Sequence, residues 1–253
     1  MGKHAYGYIP DVKDANDFHY AAVRPVSVPL PPMVDLRRLC SPVRDQGQLG
    51  SCTGFAIAVG MREFLLNKQG APFVQLSPLY LYYEERLREH TVSQDAGAQP
   101  RDGFKVLAKL GCAPESDDVY DITKFTQPPS KQAVQDAANY KIAAYHRLVG
   151  QAAMQACLAG GNGFVMGFTV FESFESDAVA KTGKMPMPAA NEQTLGGHAV
   201  FCAGYQTDTT VAGGGFFIIK NSWSTSWGDK GYFYMPFAYI RPDYVSDAWT
   251  AVI

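Results

Sequence analysis

The stretch DQGQLGSCTGFA, residues 45–56, places two glutamines, two glycines and a cysteine just before an apolar run. Apolar residues continue from Cys52 at helical spacing as far as Gly70, which predicts a helix beginning at the cysteine. A thiol at a helix N-terminus lies at the positive end of the helix dipole, which lowers its pKa and favours the nucleophilic thiolate. The stretch therefore indicates a nucleophile at Cys52; the alternative is a small buried side chain.

Two later stretches carry a possible base and a residue to orient it. HAVFCAGY (198–205) and GFFIIKN (215–221) have the pattern of β-strands, and the loop QTDTTVAGG between them is rich in turn-forming residues. A hairpin centred on this loop brings His198 and Asn221 to the same end of adjacent strands, unless a bulge shifts the register. An acyl-transfer site also needs oxyanion donors, for which the main-chain N–H of Cys52 and the carboxamide of Gln46 are candidates.

Three blocks, QGQLGSC (46–52), GGHAV (196–200) and KNSWSTSWGDKGYF (220–233), resemble the active-site blocks of the papain family of cysteine peptidases, in the same order. The 146 positions between Cys52 and His198 suit the spacing of that family. VDLR at 34–37 resembles the start of the family's mature domain, so the resemblance covers roughly residues 34–235. It implies a site in which Cys52 is the nucleophile, His198 its ion-pair partner and general acid/base, Asn221 the residue that orients the imidazole, Gln46 an oxyanion donor, and Trp223 a shield for the Asn–His hydrogen bond.

The order of the predicted elements favours an α+β protein. Helical patterns at 52–69, 77–90, 102–111 and 131–138 come first, and the strand patterns follow. The resemblance implies a two-lobed papain-like fold with the active site in a cleft between a helical lobe and an antiparallel, β-barrel-like lobe. We therefore expect an N-terminal extension at 1–33, a helical lobe at 34–138 and a β-rich lobe at 139–253.

The chain departs from the family pattern near the substrate groove. A half-cystine usual in the family is Leu49 here, its partner position is Asp95, and the aromatic residue after the nucleophile is Thr53. The glycine pair that borders the groove is Gly97-Ala98, which implies main-chain contacts with an extended substrate and a groove narrowed by one methyl group. By the same resemblance, Ala199 is expected to line the pocket for the second residue before the scissile bond.

Composition limits the other classes of function. A formal net charge of −2 gives no general attraction to nucleic acid, and no apolar run approaches the ~18 residues of a membrane span. The cysteines, at 40, 52, 112, 157 and 202, form no C-x-x-C pair, so we expect no metal site and no cofactor. The N-terminus lacks a signal-peptide pattern, which favours a reduced, cytoplasmic protein; secretion by another route is the alternative. A monomer acting on protein or peptide substrates is expected.

The function favoured by these residues is that of a cysteine endopeptidase, in which Cys52 forms a thioester with the acyl part of the substrate. Two alternatives stay open: another acyl-transfer enzyme with the same machinery, such as an amidase or a transglutaminase-like enzyme, and a binding module without catalysis. The intact set Cys52, His198, Asn221 and Gln46 disfavours the binding module.

The first 33 residues are too short for an independent inhibitory domain. GYIPDVKDANDF within them resembles the short extensions of a bacterial branch of the family. Because YGYIP and FHYAAV are rich in aromatic and aliphatic residues, we expect Tyr6 to Tyr20 to pack on the catalytic body, with part of it reaching the cleft as a partial lid. A structural strap far from the site is the alternative.

Overall fold

The computed structural model describes residues 4–20 and 29–253. Helical structure dominates the first half of the chain. Helix α1 is continuous but irregular: an α-helical turn at Cys52–Gly54, a π-helical stretch at Phe55–Arg62 and an α-helical end at Glu63–Gln69. It is followed by α2 (Pro78–Arg88), α3 (Pro100–Lys109) and α4 (Lys131–Ala137). Two further helices, α5 (Gly150–Ala159) and α6 (Asp177–Thr182), lie among the strands.

Local sequence explains where the first two helices begin and end. Gly70, in the left-handed conformation at φ 66°, ends α1 as expected. Ser77 accepts a hydrogen bond from the N–H of Tyr80 and caps α2, with Pro78 in its first turn. The sequence predicts that the third helix begins at Asp102 as its cap, which is wrong: α3 begins two residues earlier, at Pro100, and Asp102 lies within its first turn. Proline preorganises that start because its φ is already helical.

Apart from its short first strand, the antiparallel sheet comes from the second half of the chain. Its strands are β1 (Met33–Asp35), β2 (Ala144–Arg147), β3 (Phe164–Phe171), β4 (Thr194–Thr207), β5 (Gly215–Lys220), β6 (Tyr232–Pro236) and β7 (Val245–Val252). The order across the sheet is β2-β7-β3-β4-β5-β6, and β1 also pairs with β4. The expected α+β class is confirmed. β7 and the helix α5 were not among the predicted elements.

The hairpin of β4 and β5 brings His198 and Asn221 to the same end, as predicted, and its register is shifted by a bulge. Phe201 pairs with Lys220, and the register shifts between Cys202 and Gly204. Extended to the end of the hairpin, this register puts His198 level with position 223, two residues beyond Asn221. The bulge that the sequence allowed for is present, and it changes the direction of the end of β4 that carries His198.

Two hydrophobic cores meet at β4. One packs α1, with Ile57 and Met61 fully buried, against Phe201 on one face of the strand. The other packs Phe168 of β3 and Phe217 of β5 together on the other face of the sheet. Because β4 contributes to both cores, it fixes the position of α1 relative to the sheet. Across the described ranges, no helix has the length and apolar character to cross a membrane.

Candidate active site

Cys52 is the first residue of α1, and its side chain is completely buried. The N–H of Ala199 on β4 points at the thiol, with 3.4 Å between the nitrogen and Sγ. Burial raises the pKa of the Cys52 thiol to about 12, although the N–H groups of Ala199 and Gly7 act in the opposite direction. In this arrangement the sulfur is therefore an uncharged thiol at neutral pH.

His198 and Asn221 lie beside each other at the end of the β4–β5 hairpin. His198 Nε2 is 2.8 Å from Asn221 Oδ1, and the N–H of Ser222 donates to the same oxygen at 2.9 Å. Since this oxygen only accepts, Nε2 carries the proton, and Nδ1 is a lone pair without a partner in the described structure. Burial lowers the pKa of His198 to about 4, so the ring is neutral at pH 7.

Trp223 covers one face of the His198 ring. The two rings stack with centroids 4.7 Å apart and an interplanar angle of 21°. The imidazole of His4, from the N-terminal segment, stacks on the indole of Trp223 at 3.8 Å, nearly parallel. The indole therefore shields one face of the His198 ring from water, which agrees with the shielding role expected for Trp223.

Gln46 is buried and held by three groups. Its Oε1 accepts from the hydroxyl of Ser222 at 2.6 Å, and its Nε2 donates to the carbonyl of Leu49 at 2.9 Å. The same Nε2 lies 3.2 Å from the carbonyl oxygen of Ala5 in the N-terminal segment. The carboxamide thus already donates to a carbonyl that belongs to a peptide in the cleft.

The residues expected to border the substrate groove do contact an extended peptide: the chain's own N-terminal segment. Ala98 N–H donates to Gly7 O at 2.8 Å, and the N–H of Ile9 donates to Ala98 O at 3.0 Å, in a parallel bridge. On the opposite side, the N–H of Tyr8 donates to Gly197 O at 3.1 Å. Gly97, at φ 75°, lies so close that a Cβ there would be 2.3 Å from Gly7 O. The prediction that part of the segment reaches the cleft is confirmed.

Further along, the segment is anchored by charged groups. Asp11 accepts from Trp249 Nε1 at 2.7 Å and from the N–H of Arg101 at 3.0 Å. Asp17 is paired with Arg101 at 2.7 Å and with Arg147 at 3.1 Å. At the other end, Glu175 accepts hydrogen bonds from His4 and Tyr6. The sequence also predicts that Pro25, Pro29, Pro31 and Pro32 keep the following connection extended, and of these Pro25 lies outside the described residues.

Two departures from the family pattern have structural replacements. Where a disulfide would join positions 49 and 95, the carboxylate of Asp95 accepts from the N–H of Gly50 at 3.0 Å and from the hydroxyl of Tyr82. Thr53, in place of an aromatic residue, donates through its hydroxyl to Glu85 at 2.7 Å. Glu85 is fully buried, and burial raises the pKa of its carboxyl well above the ordinary value.

Sequence reasoning missed several side chains that hold the site. Ser222 lies inside a quoted block, and its position next to Asn221 was an available signal. Tyr120 donates to the carbonyl of Gln46 at 2.7 Å, and Glu175 anchors the N-terminal segment. Tyr120 lies in a loop and Glu175 ends a short 3-10 helix, and neither belongs to a sequence pattern. Within 4–20 and 29–253, no group of three or more His, Cys, Asp or Glu side chains is arranged to hold a metal ion.

Comparison with known proteins places this geometry in a family. The model of the papain family of cysteine proteases matches residues 30–240. An uncharacterized peptidase C1-like protein of Acanthamoeba polyphaga mimivirus is 38% identical over 81% of this chain and 68% of its own length. Cysteine proteinase 3 of Entamoeba histolytica is 28% identical over 80% of this chain, which spans 62% of that protein.

Solved structures agree. Xylellain, a cysteine protease from Xylella fastidiosa, has a TM-score of 0.87 and 38% identity, covering 99% of this chain and 97% of that one. This similarity fits the bacterial branch expected from the short N-terminal extension. Digestive procathepsin L 3 of the Tenebrio molitor larval midgut shares the fold, with a TM-score of 0.71 at 20% identity over 90% of this chain and 72% of its own. The chain belongs to the papain family of cysteine proteases and is a cysteine endopeptidase.

Proposed function

We propose that this peptidase cleaves its substrate through a thioester on Cys52, with His198 as general acid/base, and that residues 4–12 keep the resting enzyme closed. His198 Nδ1, the ring atom without a partner, takes the thiol proton and later returns it to the leaving amine. Asn221 holds the ring through Nε2. Gln46 Nε2 and the N–H of Cys52 donate to the oxyanion.

One observation supports closure above the others: Gly7 to Ile9 are hydrogen-bonded to both sides of the cleft, at Ala98 and Gly197. An extended substrate would use the same main-chain groups, because strand addition binds a peptide through backbone N–H and C=O. Substrate and segment therefore compete for one set of partners, and peptide hydrolysis requires the segment to leave.

Closure also controls the electrostatics of the site. With the segment in place, burial raises the pKa of Cys52 and lowers that of His198, so the thiolate–imidazolium pair is disfavoured. When the segment leaves, water returns to both groups and the positive end of α1 favours the thiolate. The segment thus blocks access and holds the nucleophile in its unreactive form.

The catalytic assignment is tested by replacing single cysteines. Cys52→Ala should abolish both peptide hydrolysis and covalent labelling by a thiol-directed epoxide. Cys40→Ala is the matched control, because Cys40 is half-buried and outside the cleft, and it should retain both. Hydrolysis by the Cys52→Ala protein would contradict the assignment.

The remaining expectations from the sequence are proposals as well. We propose that the protein acts as a monomer, which sedimentation measurements on the full chain would test. A reducing, cytoplasmic environment is likewise proposed from the cysteine usage, and fractionation of the producing cells would test it.

A further inference from the structure

Tyr120 contacts both stretches of chain that supply the proposed oxyanion donors. Its hydroxyl donates to the carbonyl oxygen of Gln46 at 2.7 Å and lies 2.6 Å from Oγ of Ser51. A phenol has one proton and a carbonyl oxygen can only accept, so the Ser51 hydroxyl is the donor in the second contact. One phenol oxygen therefore joins Gln46 to the residue immediately before Cys52.

These two contacts hold the oxyanion donors from the main-chain side. The carboxamide of Gln46 extends from a backbone whose C=O is bonded to Tyr120 and whose N–H donates to the carbonyl of Ser222 at 2.9 Å. The second donor, the N–H of Cys52, belongs to the peptide group that joins Cys52 to Ser51. Because oxyanion donors act only when they are aimed at the place where charge develops, the distance between these two stretches matters for the rate.

The side chain of Ser51 is directed toward Tyr120 and not toward its own helix. Ser51 is the N-cap residue of α1, a position where serine commonly accepts a hydrogen bond from an N–H of the first turn. Its side chain makes no such bond here. The hydroxyl of Ser51 thus serves the link to Tyr120 in place of a helix cap.

Tyr120 is itself held by α1 and by a chain of polar contacts. Its ring packs edge-on against Phe55 of α1, with centroids 4.8 Å apart. Its N–H donates to Glu115 Oε1 at 2.8 Å, and Glu115 Oε2 is paired at 3.0 Å with Arg44, two residues before Gln46. Burial raises the pKa of the Tyr120 phenol, so the hydroxyl keeps its proton and remains a donor. The hydroxyl therefore has a fixed place between the two stretches.

Resting on the proposed function, we propose that Tyr120 is a positioning residue for the oxyanion site, and that its hydroxyl holds the Gln46 carboxamide and the Cys52 N–H at the separation that the tetrahedral intermediate requires. Tyr120 acts through Gln46 and Ser51 and transfers no proton in the reaction. Loss of its hydroxyl should therefore slow the steps that form an oxyanion and leave the reactivity of the Cys52 thiol unchanged.

The experiment uses the full chain carrying Gly7→Ala. A Cβ at Gly7 would lie 1.6 Å from the carbonyl oxygen of Gly50, so the segment cannot dock in its present position. In this background, Tyr120→Phe keeps the ring and removes only the hydroxyl. It should lower kcat for a fluorogenic peptide roughly tenfold with little change in KM, as expected when hydrogen bonds that align an oxyanion donor are lost.

Tyr80→Phe is the matched control in the same background. Tyr80 lies on α2 and is buried, and its hydroxyl has no hydrogen-bond partner within residues 4–20 and 29–253. This variant removes an equivalent hydroxyl without touching Gln46 or Ser51, so its kcat should equal that of the Gly7→Ala parent.

Two further measurements separate positioning from general damage to the site. Cys52 displaces iodide from iodoacetamide to form a thioether, a step that creates no oxyanion, so Tyr120→Phe should be alkylated at Cys52 as fast as its parent. Adding Gln46→Ala to both chains completes a double-mutant cycle. Because part of the effect is exerted through Gln46, the loss of kcat caused by Tyr120→Phe should then fall to roughly threefold or less.

An unchanged kcat in Tyr120→Phe, an equal loss of kcat with and without Gln46, or alkylation that slows in proportion to kcat would each overturn this inference while leaving the proposed mechanism intact. If Tyr120→Phe does not fold, Ser51→Ala decides, because it removes only the second hydrogen bond. It should lower kcat roughly threefold at an unchanged alkylation rate, and an unchanged kcat would overturn the inference. If the Gly7→Ala parent neither hydrolyses the peptide nor is alkylated at Cys52, the proposed function fails, and the role of Tyr120 fails with it.

Discussion

Gly7 of the N-terminal segment packs directly against the main chain of Gly50, two residues before the nucleophile. A Cβ on Gly7 would lie 1.6 Å from the Gly50 carbonyl oxygen and 2.8 Å from its Cα. No side chain can occupy that space without displacing backbone. Closure of the cleft therefore depends on a glycine at position 7.

The first prediction is that Gly7→Ala activates the enzyme. Overpacking typically costs ~1–3 kcal/mol, and 1.4 kcal/mol corresponds to tenfold in an equilibrium. Because the clash here is with backbone, we expect kcat/KM on a peptide substrate to rise roughly tenfold or more.

Val12→Ala is the matched control in the same segment, since the Val12 side chain is 71% exposed and its hydrogen bonds to Gln99 and Arg101 are made by the main chain. It should leave kcat/KM close to that of the unmodified chain. Equal activity of all three proteins would mean that the segment does not limit access. Thermal denaturation of each protein checks that the fold is retained.

The second prediction concerns the pH dependence of thiol alkylation. In the closed chain the pKa of Cys52 is raised to about 12 and that of His198 is lowered to about 4, both by burial. Between these values both groups are neutral, and the thiolate fraction rises only as pH approaches 12. In the Gly7→Ala chain, the exposed pair should ionise at much lower pH.

The measurement is the rate of alkylation by iodoacetamide across pH 4–10. The ratio of the rates, Gly7→Ala over unmodified chain, should be largest at the acid end of this range and should decline as pH rises toward the raised pKa of the closed thiol. Two profiles of the same shape, displaced by a constant factor, would show that closure excludes the reagent without changing the ionisation of the thiol.

Much of the candidate site could be predicted because its residues lie within a few short stretches of sequence. Cys52 and Gln46 are separated by one turn. The helix that begins at Cys52 is predicted by the helical spacing of its apolar residues and by Gly70 at its end. His198 and Asn221 lie at the mouth of one hairpin. Local pattern suffices for such groups because their partners are near in sequence.

The rest depends on contacts between residues far apart in the chain. Asp247 lies on β7, which pairs with β2 and β3, and its bond to Tyr8 spans 239 positions. Glu175 reaches His4 across 171 positions. Hydrophobic periodicity within a segment does not predict a contact between residues so far apart in the chain. The bulge in β4 was left open for the same reason, since register is set by packing on both faces of the sheet.

The π-helical stretch of α1 leads to the third prediction. Lys220, the last residue of β5, is buried and donates to the carbonyl of Val59 at 3.1 Å and to Ser41 Oγ at 2.9 Å. Ser41 also donates to the Val59 carbonyl, at 3.0 Å. These bonds from outside the helix join α1 to the strand that leads directly into Asn221. Lys220→Met should therefore lower kcat with little effect on KM.

The burial of Lys220 should also make the stability of the protein depend on pH. Burial lowers the pKa of Lys220 to about 8, below the ordinary 10.5, so the charged form is disfavoured in the folded protein. Below pH 8 the buried charge lowers the free energy of unfolding by its full amount, and this effect disappears as pH rises toward 10.5. The melting temperature of Lys220→Met relative to the unmodified chain should thus be higher at pH 7 than at pH 10. A Lys220→Arg variant with unchanged kcat would argue that charge alone positions the strand.

The fourth prediction concerns the carboxyl behind the nucleophile. Glu85 accepts from Thr53, the residue after Cys52, and its Oε1 has no partner in the described structure. Because burial raises the pKa of Glu85, the folded state binds a proton that the unfolded chain releases above about pH 4.5. Stability due to this site is therefore present at low pH and declines as pH rises.

Glu85→Gln keeps the shape and the acceptor for Thr53 while removing the ionisation. It should match the unmodified chain in melting temperature at pH 4 and exceed it at pH 7. Glu85→Ala, in contrast, leaves the Thr53 hydroxyl without its partner and opens a cavity, which should cost about 2–4 kcal/mol at pH 4. The cost should be smaller at pH 7, because this variant also removes the unfavourable burial of an ionisable carboxyl. If Glu85→Gln were instead destabilising at pH 7 and neutral at pH 4, Glu85 would have to be ionised in the folded protein, which would contradict the raised pKa.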